Sequence, residues 1–307
     1  MKKWIYFFSA FLTAYSFPLH SQEIQVVGVG TGQSASGNEI NNYIQIGGSK
    51  PTDYKKIDDP AYECIYEYII SKNDKNGEPI KENYTTILMM GNNAGRFVDY
   101  TVYKTDSLAF VPDSERIWEA TAIQAKKAEF KFTGDVILNY PEGKLTYTDL
   151  VTPIYQEYSE SFPPMEWQIE EDQDTICGYL CTKAIGSYGG RDWEVWYAEE
   201  IPSYFGPWKF SGLPGLIMAA KDSEGVNEFR AISFREGKTP IAKPNNPLIQ
   251  KTTREKFIGA KAKFETDPLS SINPESIHEI HVMKNRLIIN GVEIPRRPNG
   301  YTPIELK

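Results

Sequence analysis

From Ala61 onward, apolar and polar residues alternate with a period of two through most of the chain. In Glu63–Ile70 the set Cys64, Tyr66, Tyr68, Ile70 interleaves with Glu63, Ile65, Glu67, Ile69. Similar runs occur at Thr85–Met90, Arg96–Tyr103, Glu129–Phe132, Lys144–Thr148, Trp167–Glu171, Leu180–Tyr188, Asp192–Glu199, Asn227–Phe234 and Ile277–Ile289. Alternation on this scale, punctuated by Gly, Asn and Asp, predicts an antiparallel sheet with one face turned to a core. Gly189-Gly190 and Asn290-Gly291 mark tight hairpins, because glycine accepts the positive φ of primed turns. Two stretches have the helical period instead. Ser114–Lys127 carries Ile117, Trp118 and Ile123 in a charged setting. Thr252–Phe264 opens with Thr252 placed to cap and Glu255 to reach back, and sets Phe257 and Phe264 on one face with lysines opposite. Ile241–Pro247 reads as a Pro/Asn-rich connector, and no internal repeat is present.

The ends change the picture. Lys2 and Lys3 precede an apolar run from Trp4 to Phe17, which is short for a bilayer span and leads to Ser21. Residues 1–21 are therefore read as a signal peptide, 22–60 as a flexible Gly/Ser-rich leader, and 61–307 as a single β-rich domain. Export to the periplasm or the outer membrane follows, with no membrane helix expected after signal removal. The 19 Tyr, 15 Phe and 6 Trp suit pleated surfaces and a large core. The net charge of −8 argues against nucleic acid, whose phosphates demand a basic face.

Chemistry-bearing residues are few. Cys64, Cys177 and Cys181 allow one disulfide with one thiol left over, and spacing does not select the pair. No metal site is expected from them, since no His lies nearby in sequence. His278 and His281 would face opposite sides of a strand, which spoils a chelate. Glu170, Glu171, Asp172, Asp174, Glu199 and Glu200 read as a solvated rim, because neighbouring carboxylates on a strand diverge. Gly28, Gly30 and Gly32 lack the helix that a nucleotide loop needs. No cofactor is implied.

The most distinctive stretch runs from Trp193-Glu194-Val195-Trp196 through Gly206-Pro207-Trp208-Lys209-Phe210 to Gly212-Leu213-Pro214-Gly215-Leu216-Ile217. Two glycines around Leu213-Pro214 make a stiff turn that neighbours can approach closely. Leu216–Met218 then forms a short apolar strand. Two readings stand side by side: a structural corner wedged by Trp208, which the physics favours, or an apolar lip that contacts a ligand.

This segment resembles the GLPGLI family of exported Bacteroidetes proteins, as do the strand pair in Leu88–Ser107 and the closing Pro303-Ile304-Glu305-Leu306. The resemblance implies export and a mainly β (α+β) fold, similar to lipoprotein-carrier half-barrels, but no settled activity. The expectation is a curved antiparallel sheet or half-barrel with one or two packed helices. Its role would be non-enzymatic binding or assembly, with Trp193, Trp196, Trp208, Phe210 and Leu213 as contacts for an apolar ligand, a peptide or an envelope protein. The rivals are a docking subunit of an outer-membrane assembly and a hydrolase using Cys181 or His278/His281.

Overall fold

The computed structural model describes residues 54–73, 76–111, 132–151, 154–162, 164–245, 249–266, 279–283, 286–289, 292–294 and 303–306. The expected signal peptide, most of the expected leader, the helix expected over Ser114–Lys127, His278 and the turn expected at Asn290-Gly291 lie outside the described residues. So does Glu129–Phe132 except Phe132, which is not in a strand.

After β1 (Tyr54–Asp58), the strands β2 (Tyr62–Asn73), β3 (Pro79–Met90), β4 (Gly95–Asp99), β5 (Asp135–Leu138), β6 (Lys144–Val151) and β7 (Ile154–Ser161) form one antiparallel meander. A second meander comprises β8 (Gln168–Ile176), β9 (Tyr179–Tyr188), β10 (Arg191–Ala198), β11 (Leu216–Asp222) and β12 (Asn227–Glu236). The last strand of the second pairs with the first of the other, Phe229 opposite Tyr68, so that one sheet results. The sheet is large, curved and not closed. Its register slips at Ile169/Gln173, Trp196/Tyr197 and Ala231/Ser233, where bulges add the local twist that bends a sheet. Gly189 and Gly190 have φ of 63° and 81°, as a primed hairpin requires.

The inner face carries Tyr66, Tyr68, Leu88, Phe97, Leu138, Leu145, Trp193, Val195 and Phe229, all buried. In Glu63–Ile70 the even set is interior as the alternation predicts. Two of the odd set are covered too: Ile65 packs with Ile87, Met89, Val98 and Tyr103, while Glu63 is fully enclosed and paired to Arg235 at 2.9 Å.

That outer cover corrects three expectations. Arg96–Tyr103 is not one strand, because β4 stops at Asp99. The Asp99 carboxylate accepts the Thr101 amide at 2.7 Å and caps helix α1 (Tyr100–Ser107). Tyr54–Asp58, read as leader, is a strand held by β13 (Ile241–Pro244), which in turn replaces the start of the supposed connector. Tyr54 also donates its hydroxyl to Asp106, which pairs with Arg96 at 2.7 Å.

Past β14 (Gln250–Lys251), which pairs in parallel with β7, comes helix α2 (Arg254–Thr266). Phe257 and Phe264 share its buried face and pack on Val151 and Tyr158, each worth about 1.5–3 kcal/mol. The cap is Thr253, whose hydroxyl accepts the Lys256 amide, one residue later than the sequence suggests. Nor are all the lysines opposite: Lys261 is buried, with Asp149 at 2.9 Å and Glu265 at 3.1 Å. Ile277–Ile289 divides into β15 (Ile280–Met283) and β16 (Arg286–Ile289), and with β17 (Val292–Ile294) these form a small separate sheet. No helix among the described residues is long and apolar enough to cross a membrane.

Candidate functional site

Between β10 and β11 the chain turns into the concavity of the sheet. Gly206 donates its amide to the Phe210 carbonyl at 2.9 Å, and Phe205 bridges to Ser211, so residues 205–211 form a small inward hairpin. Trp208 sits at its tip with φ of 54°, a left-handed conformation that costs a residue with a Cβ about 1–2 kcal/mol. Tight packing holds it there: Tyr188 and Phe210 lie 5.4 Å away by ring centroid, and Trp193 lies 6.3 Å away. The Gly-Leu-Pro-Gly-Leu-Ile segment then closes the corner. A Cβ on Gly215 would stand 2.3 Å from the Ala198 carbonyl oxygen, and Tyr66 donates its hydroxyl to the Ile217 carbonyl at 2.8 Å.

The five candidate contact residues are thus redistributed. Trp193, Trp208, Phe210 and Leu213 are all buried in the interior, not displayed on an open face. Trp196 lies on the other side of β10, half-buried, with its Nε1 donating to Glu194 at 3.1 Å. Gly212, Leu213, Pro214, Gly215, Leu216 and Ile217 make the structural corner. Of the five, Trp208 alone lines a cavity.

That cavity has a volume of about 100 Å³ and lies between the inner face, α2 and the segment Pro303–Leu306. Its wall is rich in aromatic rings, Tyr68, Tyr84, Tyr147, Tyr158, Phe257 and Trp208 among them, and also carries the charged Asp149, Lys261 and Glu305. The Trp208 indole Nε1 is buried and has no hydrogen-bond partner among the described residues. A buried donor left unpaired costs about 1–3 kcal/mol.

Reaching into that wall through Tyr158 and Glu305 is a charged network that sequence reasoning missed. Lys209 is fully buried, yet its ammonium donates to Tyr158 Oη at 2.6 Å and to Glu305 at 2.8 Å, with Glu160 at 3.3 Å. It also stands 5.1 Å from the ring centres of Tyr147 and Tyr158. Arg254, from the first turn of α2, donates its Nε to Glu305 at 3.0 Å. Burial, followed by the Glu305 and Glu160 charges, pushes the Tyr158 phenol far above its usual range. Tyr158 therefore stays protonated, and since its oxygen accepts from Lys209, its own hydrogen is available as a donor. One signal for this network was in view: a lysine set between Trp208 and Phe210 in an apolar run must find a partner if the run is buried.

The remaining candidates do not converge. Cys64, Cys177 and Cys181 are all free thiols, Cys177 exposed and the other two buried. Cys177 tips the β8–β9 hairpin at φ 53° and hydrogen-bonds the Ala231 carbonyl at 3.2 Å. Burial raises the Cys181 thiol to about 11. His281 pairs with Glu279 at 2.5 Å in the small separate sheet. Glu171, Asp172 and Asp174 are exposed along β8, an edge strand that charge and a bulge protect from pairing with another chain. Among the described residues no group of His, Cys, Asp and Glu is arranged to hold a metal ion.

Solved structures with some likeness include two crystal forms of PNGF-II. They show 17% and 15% identity and TM-scores of 0.46 and 0.45, with 66% of this chain and 33% of theirs aligned. The chain thus spans about a third of the PNGF-II length. A LolA superfamily protein, NE2245 from Nitrosomonas europaea, aligns over 62% of this chain and 92% of its own at 8% identity and a TM-score of 0.25. At these scores the likenesses do not extend to activity. Comparison with curated proteins finds no match. One family model does match, over residues 190–219, the stretch from the Gly-Gly turn through the inward hairpin to the corner; that family is described as a protein of unknown function (Porph_ging).

Proposed function

We propose that this chain is an exported, non-catalytic binding module of the cell envelope, of the GLPGLI type, working in the periplasm or at the outer membrane. It holds a small uncharged group in the cavity on its concave face. The unpaired indole Nε1 of Trp208 carries this reading. A strained, fully buried residue with an unused donor, whose side chain also lines an aromatic-rich cavity, is an arrangement that stability alone does not favour. The volume bounds the ligand. The space of about 100 Å³ is partly open at the surface, so it can seat one ring or side-chain-sized group whose remainder stays outside, and not a whole lipid. Charge is disfavoured as well: Lys209, Lys261 and Arg254 already have carboxylate partners, and Glu305 and Asp149 have cationic ones. The occupant is therefore an apolar ring or side chain bearing one neutral acceptor.

A catalytic role receives less support. Cys181 is buried with its thiol held neutral, and His281 belongs to another sheet. Nucleophilic catalysis needs a base within hydrogen-bond reach of the nucleophile.

The test is an indole-selective NMR titration with benzamide and toluene, the Trp208 signal being assigned through Trp208→Phe. Benzamide should shift the Trp208 Nε1–H resonance and bind roughly tenfold more tightly than toluene, the difference that one hydrogen bond makes. Binding of both probes with equal strength, or of neither, refutes the proposal.

A further inference from the structure

The segment Pro303–Leu306 belongs to no strand or helix, yet two of its carbonyls, one amide and its carboxylate are each recognised. The Arg191 guanidinium donates to two successive carbonyls, Pro303 at 2.8 Å and Ile304 at 3.2 Å. The Leu306 amide donates to the Gly189 carbonyl at 2.6 Å. Ile304 packs against the main core, and the Glu305 carboxylate lies between Lys209 and Arg254. Consecutive backbone contacts with one buried side-chain pocket are how proteins hold an extended peptide.

The surroundings are arranged so that this segment can leave. Its departure breaks no ladder of strand hydrogen bonds. A buried ammonium stripped of its carboxylate would be strongly destabilising. Lys209, however, has Glu160 at 3.3 Å, and Arg254 has the same carboxylate at 3.5 Å. Arg191 likewise keeps Asp222 at 3.2 Å and Glu224 at 2.9 Å. Each cation therefore has a partner in both states, which is the property of a two-state element.

We infer that the groove lined by Gly189, Arg191, Lys209 and Arg254 is a binding site for an extended acidic peptide, filled in cis by the chain's own Pro303–Leu306. Because Pro303, Ile304 and Glu305 also wall the aromatic cavity, their release widens it. That second consequence rests on the function proposed above, whereas the peptide site stands without it. Opening of this kind is local and proceeds without unfolding the sheet.

The experiment uses the full chain and no cavity ligand, so its outcome is independent of the benzamide titration. Native-state hydrogen exchange of the wild-type protein should show the Leu306 amide exchanging well before the central amides of β2 and β3. In Glu305→Gln the Leu306 amide should exchange at least roughly tenfold faster, while those central amides keep their rates. A synthetic peptide of residues 301–307 should then bind Glu305→Gln saturably, and the same peptide with glutamine at the glutamate position at least roughly tenfold more weakly. Exchange of Leu306 only together with the central strands overturns the inference. So does failure of the peptide to bind, or equal binding of its glutamine form. If the variant fails to fold, the wild-type exchange pattern can still overturn the inference on its own.

Discussion

Gly215→Ala tests whether the Gly-Leu-Pro-Gly-Leu-Ile segment is a corner set by contact between two backbones. The added methyl would lie 2.3 Å from the Ala198 oxygen, 2.6 Å from its carbonyl carbon and 2.8 Å from the Glu199 Cα. None of these atoms can swing aside, as a flexible side chain could. The two segments must part by about 0.7 Å before the closest contact reaches even 3.0 Å. They are held at the adjacent pair, Ala198 opposite Leu216, where β10 meets β11. Overpacking of this kind costs about 1–3 kcal/mol. Loss of one ladder hydrogen bond adds about 1 kcal/mol. A total near 2–4 kcal/mol corresponds, in a domain of this size, to a fall in Tm of about 5–15 °C. The assay is urea and thermal unfolding of the variant beside Gly143→Ala. At Gly143 nothing lies within 4 Å and only the φ of 74° is unfavourable, so the cost should stay near 1–2 kcal/mol. If Gly215→Ala unfolds within about 0.5 kcal/mol of the parent, the ordinary range for neutral surface changes, the corner is not steric and the reasoning fails.

Three further outcomes follow from the same geometry. Gly259, exposed in α2 with open space around its Cα, should gain about 0.5–1 kcal/mol on replacement by alanine, read as a rise in the urea midpoint at unchanged slope. Burial would raise the Asp58 carboxyl, but the Asn93, Ala94 and Asp59 amides that it accepts at 2.7, 3.0 and 2.9 Å hold it below its ordinary value. Its stabilisation is therefore present above the unfolded-state pKa of about 4 and is lost as the pH falls through the lower folded value; Asp58→Asn should be less stable than the parent at neutral pH, with the gap shrinking in acid. Burial raises all three thiols, so a thiolate-directed reagent at about pH 8 should label Cys177 first and slowly, reaching Cys64 and Cys181 only in denaturant. Fast native labelling of all three would show that the interior around Cys64 is open.

Much of the sheet was legible because alternation is a property of each strand alone. Leu180–Tyr188 and Asp192–Glu199 are found nearly where the period places them, and the Gly-Gly turn between them needs no tertiary information. Tyr100–Ser107 was not legible in that way. Its Tyr-Thr-Val-Tyr start has strand character, and a helix forms only because Asp99 caps it and the outer face of β3 and β4 lies beneath. The site shows the same division. Trp208 stood out by type, but its pairing with a cavity depends on the inward hairpin, and Lys209–Glu305 joins residues 96 positions apart. Glu305 could be noted as part of a familiar ending without any sign of what receives it. Buried charge pairs leave no period along a chain, so local patterns do not reveal them.

The seam between the two meanders bears on how the molecule is made. β2 pairs on one side with β3, which follows at once, but its other neighbour is β12, more than 150 residues later. Until that late strand emerges from the ribosome, β2 offers an unsatisfied edge to any extended chain nearby. Maturation should be slow for the chain length, limited by one distant closure, and dependent on a holding factor that shields this early edge.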